Sequence, residues 1–67
     1  MLTYSMDARG NTPLYEYLYR CIRDDILSGV LAAGEKLPSK RALADHLHLS
    51  VITVEGAYQQ VEAEGYI

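Results

Sequence analysis

A single cysteine, Cys21, stands among the 67 residues, which excludes an intramolecular disulfide. Long apolar runs are missing too. The longest, Val30-Leu31-Ala32-Ala33, falls far short of the roughly 20 residues needed to cross a bilayer. The N-terminus carries no basic leader with an apolar core and a small-residue cleavage site, so the cytoplasm is the expected compartment. Catalytic signatures are equally scarce. The five glycines form no phosphate-binding loop and the serines sit in no nucleophile elbow. His46 and His48 flank a turn, but with Asp45 and the distant Cys21 they make no recognised ligand spacing. Neither an enzyme nor a metal site is expected.

Positive charge is also in short supply. Six Lys and Arg face nine Asp and Glu, for a formal net charge of -3. Phosphate attraction by Lys and Arg supplies most non-specific affinity for nucleic acid, so the overall charge argues against indiscriminate binding of polyanions. The distribution is uneven, however. Between Lys36 and Val54, the bases Lys36, Lys40 and Arg41 stand against Asp45 alone, a local excess of two positive charges. A local patch matters more than the sum.

What the chain does contain is the balance of a globular domain: 49% hydrophobic and 22% charged residues, in a length that holds one domain at most. Residues 1–12 show neither a helical nor a strand period, and Ala8-Arg9-Gly10-Asn11 reads as a loop, so this segment is expected to be an arm. Thr12 as cap and Pro13 at the first helical position start a helix. Its apolar stripe, Leu14, Leu18, Cys21, Ile22 and Ile26, runs to about Ser28, with Gly29 as the C-terminal stop. Tyr15, Tyr17 and Tyr19 are interleaved with this stripe and are expected to pack around the core. Cys21, on the same stripe, reads as a small core hydrophobe.

Gly34-Glu35-Lys36-Leu37-Pro38 reads as a turn leading into a short extended stretch, because a residue before proline is pushed away from helix. Ser39 caps a second helix from Lys40 to about His46. Leu43 and Leu47 lie one turn apart on its buried face, and Lys40, Arg41 and Asp45 face outwards. His48-Leu49 makes the connection. Ser50 caps a third helix whose stripe is Val54, Ala57, Tyr58 and Val61, running to about Glu64 before Gly65. Two serine-capped helices joined by a short turn, over residues 39–64, form a helix-turn-helix. In that arrangement the N-terminal residues of the second helix enter the major groove, here Ser50, Val51, Ile52, Thr53, Glu55 and Gly56.

The blocks Gly34-Glu35-Lys36-Leu37-Pro38-Ser39-Lys40-Arg41-Ala42-Leu43-Ala44, Ser50, Thr53-Val54, Ala57-Tyr58-Gln59-Gln60-Val61 and Ala63-Glu64-Gly65-Tyr66-Ile67 together resemble the DNA-binding domain of GntR-type transcription regulators. The resemblance spans residues 13–67. Pro13-Leu14-Tyr15, Leu18-Tyr19-Arg20, Ala57-Tyr58 and Glu64-Gly65-Tyr66 look most like the MocR subgroup. It implies a mainly α fold: a three-helix winged helix-turn-helix with a short strand near Lys36-Leu37 and a wing that is truncated or missing here. It also implies that these residues are a fragment of a longer regulator. In the MocR arrangement that regulator carries a C-terminal domain resembling a pyridoxal-phosphate aminotransferase, so the cofactor would bind there and no cofactor is expected within this chain.

The implied function is sequence-specific binding of a double-stranded operator, as a homodimer on two half-sites. Arg41 stands where the family grips the DNA backbone, and Ser39, Ser50 and Thr53 match positions that commonly contact phosphate. Lys36 and Lys40 are close enough to assist, although a solvated surface charge is an equal reading for each. Many family members place arginine after the capping serine and a further base after the valine; this chain has Val51 and Glu55. Val51 and Ile52 suit thymine methyl groups or, equally, contact with a neighbouring chain or the core, and Glu55 suits the amino group of cytosine. The competing reading is a helical protein-interaction domain that uses the exposed Val51-Ile52 surface.

Overall fold

The computed structural model describes residues 4–31 and 36–66, with only the backbone considered at Ala8. A 3₁₀ turn, Met6–Arg9, precedes three helices: α1 Leu14–Ser28, α2 Lys40–Leu47 and α3 Val51–Ala63. Both α1 and α2 pack on α3, which lies between them.

The start of α1 departs from expectation by one residue. Pro13, at φ -54° and ψ 145°, takes the cap position, and its carbonyl accepts from the Tyr17 N–H at 2.9 Å. Thr12 is left outside the helix, where its carbonyl accepts from Arg9 Nη1 at 3.1 Å. Proline has fixed φ and no N–H to satisfy, so it ends the extended approach without a side-chain cap. The far end follows the sequence reading: Gly29 is left-handed at φ 86° and its N–H donates to the Ile26 carbonyl. The Leu31 N–H then reaches back to the Asp25 carbonyl at 3.0 Å, and Leu31 is buried.

Residues 4–12 are more tied down than a loose arm. The Tyr4 ring packs against the core and its hydroxyl donates to Asp25 Oδ2 at 2.7 Å. Burial first, and the Asp25 hydrogen bond second, push the Tyr4 phenol far above its ordinary range. The stretch expected as a loop divides, with Ala8 and Arg9 in the 3₁₀ turn and Gly10 beyond it at φ 60°. Period reading misses this because a 3₁₀ turn is too short to show one.

Ser39 caps α2 by accepting from the Ala42 N–H at 3.1 Å. The helix ends at His48, left-handed at φ 59°, where the Leu49 N–H returns to the Ala44 carbonyl at 2.9 Å. That reversed bond turns the chain sharply into Ser50. At the other end of α3, Gly65 at φ 82° and the Tyr66 N–H to Val61 carbonyl bond repeat the device.

The core joins Leu18, Tyr19 and Ile22 of α1, Leu43 and Ala44 of α2, and Val54, Ala57, Tyr58 and Val61 of α3, with Leu31 closing one side. The α3 stripe is as expected. On α1 only Leu18, Tyr19 and Ile22 of the expected residues are buried, while Ile26 is partly buried against the core. Cys21 is half-buried, and burial pushes its thiol up. Tyr19 donates to the Glu64 carboxylate, linking α1 to the residue after α3, and Arg23 sits 5.4 Å above the Tyr19 ring.

The expected strand at Lys36-Leu37 is not formed. Among the described residues there is no strand, and Lys36 to Ser39 run without regular structure. A strand exists by pairing, and no described segment offers this stretch a ladder. Instead the Tyr58 hydroxyl donates to the Pro38 carbonyl at 2.8 Å and pins the approach to α2 onto α3. The Gly34-Glu35 part of the expected turn, and Ile67 at the start of the expected wing, lie outside the described residues.

Candidate nucleic-acid interface

One contact joins the start of α2 to the first half of α3. Lys40 Nζ, on the first residue of α2, is 3.5 Å from Glu55 Oε2 on α3. Buried Leu43, Ala44, Val54 and Ala57 hold the two helices together beneath this surface. Residues three and four apart share a helix face, so Ile52, Glu55 and Gly56 are neighbours on α3, opposite the stripe Val54, Ala57, Tyr58 and Val61 that enters the core.

Both helix starts offer hydroxyls and unpaired backbone donors. Ser50 Oγ accepts from the Thr53 N–H at 3.1 Å and is 2.8 Å from Thr53 Oγ1, so the two hydroxyls act as a unit. Ser39 is exposed, and with its oxygen accepting from Ala42 it retains its own proton for an outside acceptor. The remaining first-turn N–H groups and the helix dipoles make both ends favourable for an anion.

The sequence-derived site residues separate by environment. Arg41 is exposed and makes no ion pair with a described residue, so its guanidinium is available for a bidentate partner. Lys36 is exposed, on the segment that Tyr58 anchors. Lys40 and Glu55 are drawn together in an ion pair that spacing along the chain does not reveal. Val51 is 39% exposed and Ile52 is 80% exposed, so Ile52 is an almost fully accessible apolar side chain on this face. Thr53 is half-buried.

Sequence reasoning missed a cleft beside this face. Arg9, Leu14, Tyr15, Ile52, Thr53 and Gly56 line an open cleft of about 590 Å³ between the start of α1 and the start of α3. Tyr15, expected to pack, is instead 48% exposed and lies against Gly56 of α3. A Cβ at Gly56 would meet the Tyr15 Cβ at 3.6 Å. A glycine on an otherwise regular helix was the available signal, since it marks a position where another element comes near.

Comparison with known proteins adds independent information. The family model described as "Bacterial regulatory proteins, gntR family" matches residues 14–67. An uncharacterized HTH-type transcriptional regulator, YhdI of Bacillus subtilis (strain 168), is 42% identical over 66 residues, covering 98% of this chain and 14% of that protein. A second from the same organism, YdeL, is 53% identical over 55 residues, covering 82% of this chain and 12% of its own length. The HTH-type transcriptional repressor YtrA, also from B. subtilis, is 39% identical over 62 residues, covering 92% of this chain and 48% of the repressor. The chain therefore spans about an eighth to a half of these relatives.

Proposed function

The chain belongs to the gntR family of bacterial regulatory proteins, and from that premise we propose that it reads an operator through the N-terminal half of α3. The observation that carries the reading is the meeting of the α2 start with the first half of α3: exposed Lys40 reaches Glu55, which shares a helix face with the accessible Ile52. Phosphate contacts position a protein on the duplex, and base contacts specify sequence. Arg41, Lys36, Ser39, Ser50 and Thr53 supply the first kind, and Val51, Ile52 and Glu55 the second. Apolar Val51 and Ile52 suit thymine methyl groups, and the Glu55 carboxylate suits a cytosine amino group. The module acts in the cytoplasm as a homodimer on two half-sites, the usual arrangement for this motif.

The small share of YhdI and YdeL that the chain covers supports reading it as the DNA-binding part of a longer regulator. The MocR-like residues around Pro13, Tyr19 and Tyr58 favour a parent with a C-terminal aminotransferase-like domain, where pyridoxal phosphate would reside. YtrA, of which the chain covers 48%, represents the alternative of a short parent.

Selection from a random pool of duplex DNA at two salt concentrations tests the proposal. Enrichment of a common site, with affinity falling steeply as salt rises, is expected, because counterions are released on phosphate contact. A folded protein that enriches nothing would shift the reading to a protein partner docking on Ile52 and Val51. Within a successful selection, Arg41→Ala should weaken binding to all duplexes alike and lower the salt slope by about 0.9, with stability changed by less than ~0.5 kcal/mol because the residue is exposed and unpaired.

A further inference from the structure

We infer that the Lys40 and Glu55 pair is a charge gate against duplexes of the wrong sequence, an inference that rests on the DNA-binding reading above. Glu55 is an acid on the exposed N-terminal face of α3, where a polyanion is to dock, and its carboxylate lies 3.5 Å from Lys40 Nζ. Lys40 is the first residue of α2, at an end already favourable for phosphate. Of the three bases between Lys36 and Val54, it alone is engaged with an acid; Lys36 and Arg41 pair with no described residue. The pair therefore removes one of three phosphate-binding charges from a chain whose net charge is already -3.

The side chains of Lys40 and Glu55 are 45% and 47% exposed, so water screens the pair and it opens readily. What decides whether it opens to advantage is the base edge that Glu55 meets. A carboxylate only accepts hydrogen bonds, and in the major groove the amino group of cytosine or of adenine is the donor that satisfies it. On such a duplex Glu55 finds a new partner and Lys40 is released to a phosphate. On a duplex that turns a guanine or thymine edge, which carries acceptors and no donor, towards Glu55, the carboxylate either stays with Lys40 or loses water against like partial charge. Discrimination then comes from a penalty on wrong sequences as much as from attraction to the right one.

Glu55→Gln separates this from other roles. It removes the charge, keeps the shape and alters an exposed residue, with circular dichroism verifying the fold. Binding to a short random-sequence duplex, followed by fluorescence anisotropy between ~50 and ~200 mM salt, should be tighter for the variant and more salt-sensitive. One added phosphate contact contributes about 0.9 to the slope, so the variant should lose about 3.5-fold more affinity across that range than the unaltered chain. Its preference for a pool-selected site over the random duplex should narrow. Lys40→Met in the Glu55→Gln background should restore the original slope. If the unaltered chain binds DNA in a salt-sensitive way and Glu55→Gln leaves the slope and random-duplex affinity unchanged, or weakens both duplexes equally, the gate is refuted while the DNA-binding reading stands. If the unaltered chain binds no duplex, both are refuted.

Discussion

Replacing Tyr58 by Phe removes one oxygen and tests how the approach to α2 is held. The Tyr58 ring is 8% exposed within the core, and Phe keeps its shape, so packing is preserved. What disappears is the 2.8 Å bond to the Pro38 carbonyl, which links residues 20 apart in sequence. A net hydrogen bond contributes about 1 kcal/mol, and stranding a part-buried carbonyl raises the loss towards about 2 kcal/mol. In a domain of this size that is a large share of a total of roughly 3–5 kcal/mol, and each 1 kcal/mol lowers the melting temperature by roughly 4–8 °C. Urea and thermal unfolding followed by circular dichroism should show the lower midpoint with an unchanged urea slope. Burial also pushes the Tyr58 phenol above its ordinary pKa of 10.0. A folded-state pKa raised in this way gives stability that is complete below about pH 10 and is lost as pH rises through the folded value. Tyr58→Phe should therefore be less sensitive to alkali, with a remaining dependence from Tyr4, whose phenol is raised in the same sense. An unchanged midpoint would refute the anchoring of Pro38, and a loss above about 3 kcal/mol would show that the ring packing, not the bond, had been disturbed.

Gly56→Ala should stabilise the protein by about 0.5–1 kcal/mol, since alanine is the better helix former and its Cβ meets Tyr15 at an ordinary 3.6 Å. A lower melting temperature would mean that the cleft beside α1 is tighter than this contact indicates. Glu64 should make the fold acid-sensitive. Its carboxyl is held below the ordinary glutamate range, chiefly by the Tyr19 hydroxyl and next by the Gln60 amide at 2.6 Å. A depressed folded-state pKa gives stability that is present above the ordinary glutamate range and is lost as pH falls below that range through the folded value. Melting temperature against pH should show this loss, and Tyr19→Phe should flatten it; identical profiles would remove the assignment.

How much of the molecule was legible in the chain follows the range of the interactions involved. Ser39, Ser50, Gly29 and Gly65 mark helix ends through bonds that close within a few residues, so their positions could be read directly, whereas proline's lack of an N–H moved the start of α1 by one residue. The stripe Val54, Ala57, Tyr58 and Val61 was equally plain, because helical period alone selects a face and that face is buried throughout. The family resemblance likewise rests on local blocks, and the match over residues 14–67 agrees with it.

Tertiary structure decided what depends on contacts between distant residues. No period or cap announces that Tyr58 holds Pro38, that Tyr4 reaches Asp25, or that Tyr15 stands over a cleft while Tyr19 is buried. The expected Lys36-Leu37 strand shows the same limit from the other side, since extended propensity without a pairing partner makes no strand. Lys40 and Glu55 each read as an independent contact along the chain. Only the packing of α2 on α3 makes them one charge pair, because electrostatic interaction depends on distance in space and is indifferent to separation in sequence.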